Sequence, residues 1–150
     1  MSDDVQPRAD RTPGTLWVAV VTPEGAAFEG EAASLVIPAH DGEIAFLPGH
    51  AAFVGAIGVG ELRTHTPDGA VHRWYLEGGV AQVLDNTITI LAEQVLTATK
   101  VSAEEAQKAL DEARAKIPTT DETFAERDQA EASARAKLKI AAHAAGQKSD

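Results

Sequence analysis

The 150-residue sequence predicts a mixed fold, β then α: an antiparallel β-sandwich or barrel followed by an antiparallel two-helix hairpin. Punctuation is the first reason. Turn-forming groups fall at Pro23–Gly25, Asp41–Gly42, Pro48–Gly49, Gly58–Gly60, Pro67–Gly69, Gly78–Gly79 and Asp85–Asn86, a spacing of about ten residues that suits short strands joined by tight turns. The second reason is a change of period at Val101, beyond which apolar residues recur at steps of three or four, as on one face of a helix. The expected divisions are an N-terminal arm over 1–14, a β domain over 15–98, and a helical hairpin with a short tail over 99–150.

Residues 1–14 combine Asp3, Asp4, Arg8, Asp10 and Arg11 with Pro7 and Pro13 and show no apolar period. They read as a disordered arm, unable to offset the entropy of ordering. The β text opens with Leu16–Val21 and continues in Ser34–Ile37. Gly42 lets the backbone take positive φ before Glu43, and Pro48 with Gly49 suits the central positions of a type II turn, so the strand between them is short and projects a loop. Phe53–Val54 and Ala56–Ile57 follow, then the strand Glu61–His65, with Leu62–Thr66 and Val71–Leu76 around Pro67-Asp68-Gly69 making the clearest hairpin. Thr87–Leu91 alternates polar with apolar residues, so one face is buried and the other wet.

Ser102 with Glu105 is a capping box that starts a first helix over Ser102–Lys116, its apolar face carrying Ala106, Ala109, Leu110, Ala113 and Ile117. Pro118 ends it. Thr119, Thr120 and Asp121 offer the N-cap of a second helix, whose face is marked by Ala130, Ala134, Leu138, Ala141 and Ala145 and which ends before Gly146. An alanine stripe allows close approach but buries little area, at about 25 cal/mol per Å². The hairpin is therefore marginal alone, and movable.

Composition narrows the function. There is no cysteine, which removes disulfides, thiolate metal sites and cysteine nucleophiles. No apolar run reaches the roughly 18 residues of a membrane span, and the first fifteen residues hold no apolar signal core. The formal net charge of −10 argues against nucleic-acid or anionic-lipid binding, which needs concentrated Lys and Arg. That charge is uneven: residues 1–100 carry 13 acids and 5 bases, residues 101–150 carry 10 acids and 8 bases. His40, His50, His65, His72 and His143 are scattered without metal-ligand spacing, although His65 and His72 flank the hairpin and could pair across it. No phosphate cradle or nucleophile elbow occurs, so no catalytic constellation is visible. His50, after its tight turn, reads as a brace for turn carbonyls before it reads as a base or a ligand. Glu43 is either a solvated charge or a partner contact.

The run Gly42-Glu43-Ile44-Ala45-Phe46-Leu47-Pro48-Gly49-His50-Ala51, with Gly78-Gly79-Val80-Ala81-Gln82-Val83 and Asn86-Thr87-Ile88-Thr89-Ile90-Leu91-Ala92 in that order and spacing, resembles the epsilon subunit of bacterial rotary F-type ATP synthases (delta in mitochondrial naming). The resemblance covers about Leu16 to Ala145. It implies a β-sandwich of about ten strands and a two-helix C-terminal domain. It also implies a non-catalytic central-stalk subunit of a proton-translocating enzyme, peripheral on the cytoplasmic face of the bacterial plasma membrane and not inserted in it. The implied partners are the gamma subunit and the c-ring, and conditionally the alpha and beta subunits. Glu43 matches the loop position that faces the c-ring, and His50 a position at the same end of the sandwich. The hairpin resembles the element that lies folded on the sandwich or extends along gamma to brake ATP hydrolysis. Arg127, Arg135, Lys137 and Lys139 would then meet an acidic segment of the beta subunits.

Some members of that family bind ATP on the folded hairpin through a motif of Ile or Leu, Asp, two variable residues, Arg and Ala. Leu110-Asp111-Glu112-Ala113-Arg114-Ala115 matches the string, with Asp111 and Arg114 as the candidate nucleotide contacts. Its position does not match, because the family's motif falls near the helix start, where this chain has Glu105 in place of arginine. No cofactor is implied beyond weak regulatory ATP binding. Three readings stand: a rotor-stalk subunit, an ATP-sensing module acting through the hairpin, and a free-standing binding module.

Overall fold

The computed structural model describes residues 13–39 and 42–148. All of the expected arm but Pro13 and Gly14 lies outside the described residues, as do His40 and Asp41. Eight strands run in chain order: β1 (Leu16–Thr22), β2 (Gly25–Ala32), β3 (Ser34–Ala39), β4 (Gly42–Phe46), β5 (Phe53–Ala56), β6 (Val59–His65), β7 (Val71–Leu84) and β8 (Thr87–Thr97). A 3-10 turn over Ala98–Lys100 leads to α1 (Ala103–Ala115) and α2 (Asp121–Lys148). Eight strands rather than about ten form the sandwich, because the segment from Val71 to Leu84 is one long strand.

The strand order is β2-β1-β8-β7-β6-β3-β4, with β5 also on β7. Neighbours are antiparallel except β1 and β8, which pair in parallel from Trp17 opposite Thr87 to Val21 opposite Leu91, a departure from the all-antiparallel expectation. β7 explains how one sheet makes a sandwich. Its first half pairs with β6 and its second with β5, and between them lie Gly78 and Gly79, both at positive φ. A Cβ on Gly79 would sit 1.9 Å from the Leu91 carbonyl oxygen, so only glycine fits this bend. The sheet curls far enough for Phe28 of β2 to meet Trp74 of β7 at 5.0 Å between ring centroids. Leu16, Leu35, Phe46, Leu62, Leu76, Ile88 and Ile90 fill the interior with no more than 1% exposure.

The turns follow the sequence chemistry. His50 N donates to Leu47 O at 3.1 Å with Gly49 at φ +88°, the type II turn expected at Pro48-Gly49. Asp85 and Asn86, both at positive φ, make the tight two-residue link between β7 and β8. The Pro67-Asp68-Gly69 hairpin forms, but His65 lies opposite Val71 and His72 opposite Thr64, so the two histidines are one register step out of direct pairing.

α1 begins where the capping box predicts, with Ser102 Oγ accepting from Glu105 N at 3.2 Å. Thr120 caps α2, its Oγ1 accepting from Thr123 N at 3.2 Å. α2 does not stop before Gly146 but runs to Lys148, because a helical glycine costs only about 1 kcal/mol. At 28 residues α2 is more than twice as long as α1, which has 13. It therefore outreaches α1 and lies on β6 and β7, from Gln129 against Glu77 to His143 against Glu61.

Candidate partner interfaces

Glu43 stands at the start of β4 opposite Pro38. Its carboxylate accepts from Arg63 at 2.8 and 3.4 Å, so it is an anchored charge with about half of its side chain exposed. His50 lies past the other end of β4, in the type II turn. Its Nδ1 bonds Ala51 O at 2.7 Å, and its ring stands edge-on to Phe46 at 4.9 Å. The imidazole thus braces the corner, and the length of β4 separates it from Glu43.

Of the four cations singled out on α2, three are engaged. Arg127 and Arg135 flank one carboxylate, that of Glu131, each at 3.3 Å. Lys137 Nζ sits 4.8 Å above the Tyr75 ring. Lys139 lines a cleft with Glu43 and Glu61. In α1, Asp111 accepts from Gln107 Nε2 at 3.1 Å, and Arg114 is exposed in the last turn.

Two features escaped the sequence reading. One is a strip of exposed apolar side chains on the outer face of the sheet: Val54, Val80, Leu84 and Leu91, with exposures of 71, 43, 50 and 54%. Val80 lies directly opposite Leu91 on β8 and Ala56 on β5, so the strip crosses three strands. Val80-Ala81-Gln82-Val83-Leu84 carries apolar residues on both faces, a signal that could have revealed it.

The other is a buried charge cluster beneath α2. The Glu61 side chain is 2% exposed and takes Arg63 at 2.9 Å, Arg73 at 3.0 Å and His143 Nδ1 at 3.0 Å. Burial pushes this carboxyl up, but the His143 and Arg63 hydrogen bonds and the Arg73 charge outweigh it and hold the group below its ordinary 4.5. Next to it, Tyr75 OH donates to Glu77 at 2.7 Å and lies 2.6 Å from Ser133 Oγ. Burial raises the Tyr75 hydroxyl well above its usual range. The alternation of β6 and β7 put these residues on one face, but nothing local showed that a helix would cover it.

Among the described residues no group of His, Cys, Asp or Glu could hold a metal ion, and no helix is long and apolar enough to cross a membrane.

Residues 15–98 match the model of the ATP synthase delta/epsilon chain β-sandwich domain. The ATP synthase epsilon chain of Desulfitobacterium hafniense (strain Y51) is 36% identical over 104 residues, 69% of this chain and 78% of that one. That of Rhodopirellula baltica is 34% identical over 120 residues, 80% of this chain and 93% of that one. A chain in the Euglena gracilis mitochondrial ATP synthase, a structure of OSCP, F1 and c-ring, is similar with a TM-score of 0.79 at 21% identity, covering 95% of this chain and 91% of its own. One in the central stalk and c-ring structure of the Tetrahymena thermophila enzyme has a TM-score of 0.65 at 14% identity, covering 84% and 96%. At such identities the likeness is one of fold.

Proposed function

This chain belongs to the ATP synthase delta/epsilon family, and from that premise we propose that it is the non-catalytic epsilon subunit of the central stalk. In this reading it couples rotation of the c-ring to the catalytic head of a proton-translocating enzyme, and works at the cytoplasmic face of the bacterial plasma membrane. Its family membership and the central stalk and c-ring setting named for the similar Tetrahymena thermophila chain both support this.

The exposed strip of Val54, Val80, Leu84 and Leu91 carries the partner assignment. Four large apolar side chains held in water on rigid strands fit a surface made to be covered, and the gamma subunit is the partner for it. The anchored carboxylate of Glu43 is the contact offered to the c-ring, with His50 supporting the corner beyond β4.

The hairpin supplies regulation. Folded on the sheet, Lys137 is occupied by Tyr75 and Lys139 faces the Glu43–Glu61 cleft. Lifted off, Lys137 and Lys139 become available to an acidic partner surface on the catalytic subunits, beside Arg127 and Arg135, whose partner Glu131 travels with the helix, and there the arm brakes ATP hydrolysis. Nucleotide sensing gains no support from the placement of Asp111 and Arg114.

The test is assembly. Val80→Asp with Leu91→Asp should abolish co-purification with gamma while the isolated chain stays folded, because both side chains already face water. Retained co-purification would overturn the gamma assignment. Cross-linking from a cysteine at Glu43 to the c subunit checks the other contact, in a chain with no cysteine of its own.

A further inference from the structure

We propose that β6 and β7 carry a release latch for α2, in which each sheet group that grips the helix also holds a second partner inside the sheet. Glu61 grips His143 but is also bound by Arg63 and Arg73. Tyr75 OH meets Ser133 but gives its own proton to Glu77. Glu77 accepts a long bond from Gln129 at 3.4 Å and keeps the Tyr75 bond.

The consequence is thermodynamic. A buried charge stripped of its only partner is strongly penalised, so an ordinary buried ion pair resists separation. Here the departing helix takes away one bond from each sheet group and leaves every carboxylate paired. Nor does the helix strand a charge, since the His143 side chain is already 40% exposed and Lys139 is exposed. Among the described residues α2 fully buries only Ala134 and Ile140, so the apolar hold is small. Docking is thus built from contacts that water can replace, on a sheet face organised to stand bare. This rests on the reading that the hairpin moves, and adds which groups hold it and why leaving does not unfold the sandwich.

The experiment uses the full chain with Ala134→Cys, at a position where the native alanine is 2% exposed when α2 is docked. Labelling by a maleimide reports release of the helix, while fluorescence of Trp17 and Trp74, both in strands, reports the sandwich. The latch predicts labelling at least tenfold faster than unfolding of the sandwich. His143→Ala and Ser133→Ala should each speed labelling by about tenfold, the factor for a lost bond of about 1.4 kcal/mol, and leave the tryptophan midpoint unchanged. Labelling that proceeds only at the unfolding rate, or variants that shift both readouts together, would overturn the latch. The braking role is read separately, as ATP hydrolysis by the assembled enzyme with and without residues 101–150. A working latch with unchanged hydrolysis would remove the brake and leave the latch standing.

Discussion

Leu76 and Tyr75 are neighbours on β7, and both are fully buried, yet they belong to different kinds of interface. Leu76 points into the sandwich with Leu62, Ile90 and Phe46, where nothing but packing holds it. Tyr75 points to the other face, under α2, and ends in a hydroxyl shared by Glu77 and Ser133 with a lysine over its ring. The interior is a jigsaw whose pieces fail together, because a removed side chain leaves a cavity its neighbours cannot fill. The seat of α2 is a set of polar exchanges, each of which water can take over at small net cost. One sheet therefore offers a permanent core on one side and a reversible platform on the other.

That contrast can be broken most forcefully from the inside. Phe46→Ala should lower stability by about 3–5 kcal/mol in urea denaturation followed by tryptophan fluorescence, and helix content should be lost no later than the sandwich. Were it to outlast the sandwich, the sandwich would not be the foundation for the hairpin. Acid sharpens the comparison next. The Glu61 carboxyl is held below 4.5 in the folded chain, so its contribution is present above that value and lost as pH falls through its depressed folded range. Release of α2, read by energy transfer from the tryptophans to a dye attached beforehand at the exposed position Ala142→Cys, should therefore rise as pH drops below about 4.5, and Glu61→Gln should remove that part of the pH dependence. Smaller is Tyr75→Phe, which should cost about 0.5–1.5 kcal/mol, seen in docking of the helix and not in the tryptophan midpoint. Smallest is Arg135→Ala. An exposed i,i+4 pair with Glu131 contributes within about 0.5 kcal/mol, so neither readout should move appreciably.

Much of this was legible residue by residue. Pro48-Gly49 specified a type II turn because proline fixes one φ and glycine alone tolerates the other, and the structure has that turn. Ser102 and Glu105 marked the start of α1 because capping is a local bond. The stop at Gly146 failed for the converse reason: glycine weakens a helix without forbidding it, and local chemistry had no stronger instruction there. The strand count failed at Gly78-Gly79, read as a turn between strands when the pair bends one continuous strand.

The candidate site divides along the same line. Glu43 and His50 stood out in the sequence, but their partners Arg63 and Phe46 were set by strand pairing and packing. Glu61 was placed at the start of a strand but given no role, since its partners are set only when β6, β7 and α2 close around it. By itself the sequence determined the order of elements, their turns and caps, and the apolar faces, because those depend on dihedral preferences and bonds between residues a few positions apart. Only the tertiary structure decided which strands lie side by side, that α2 comes to rest on β6 and β7, and that Glu61 becomes a buried three-partner carboxylate. Those outcomes depend on contacts between residues as far apart as Glu61 and His143, whose meeting no local preference encodes.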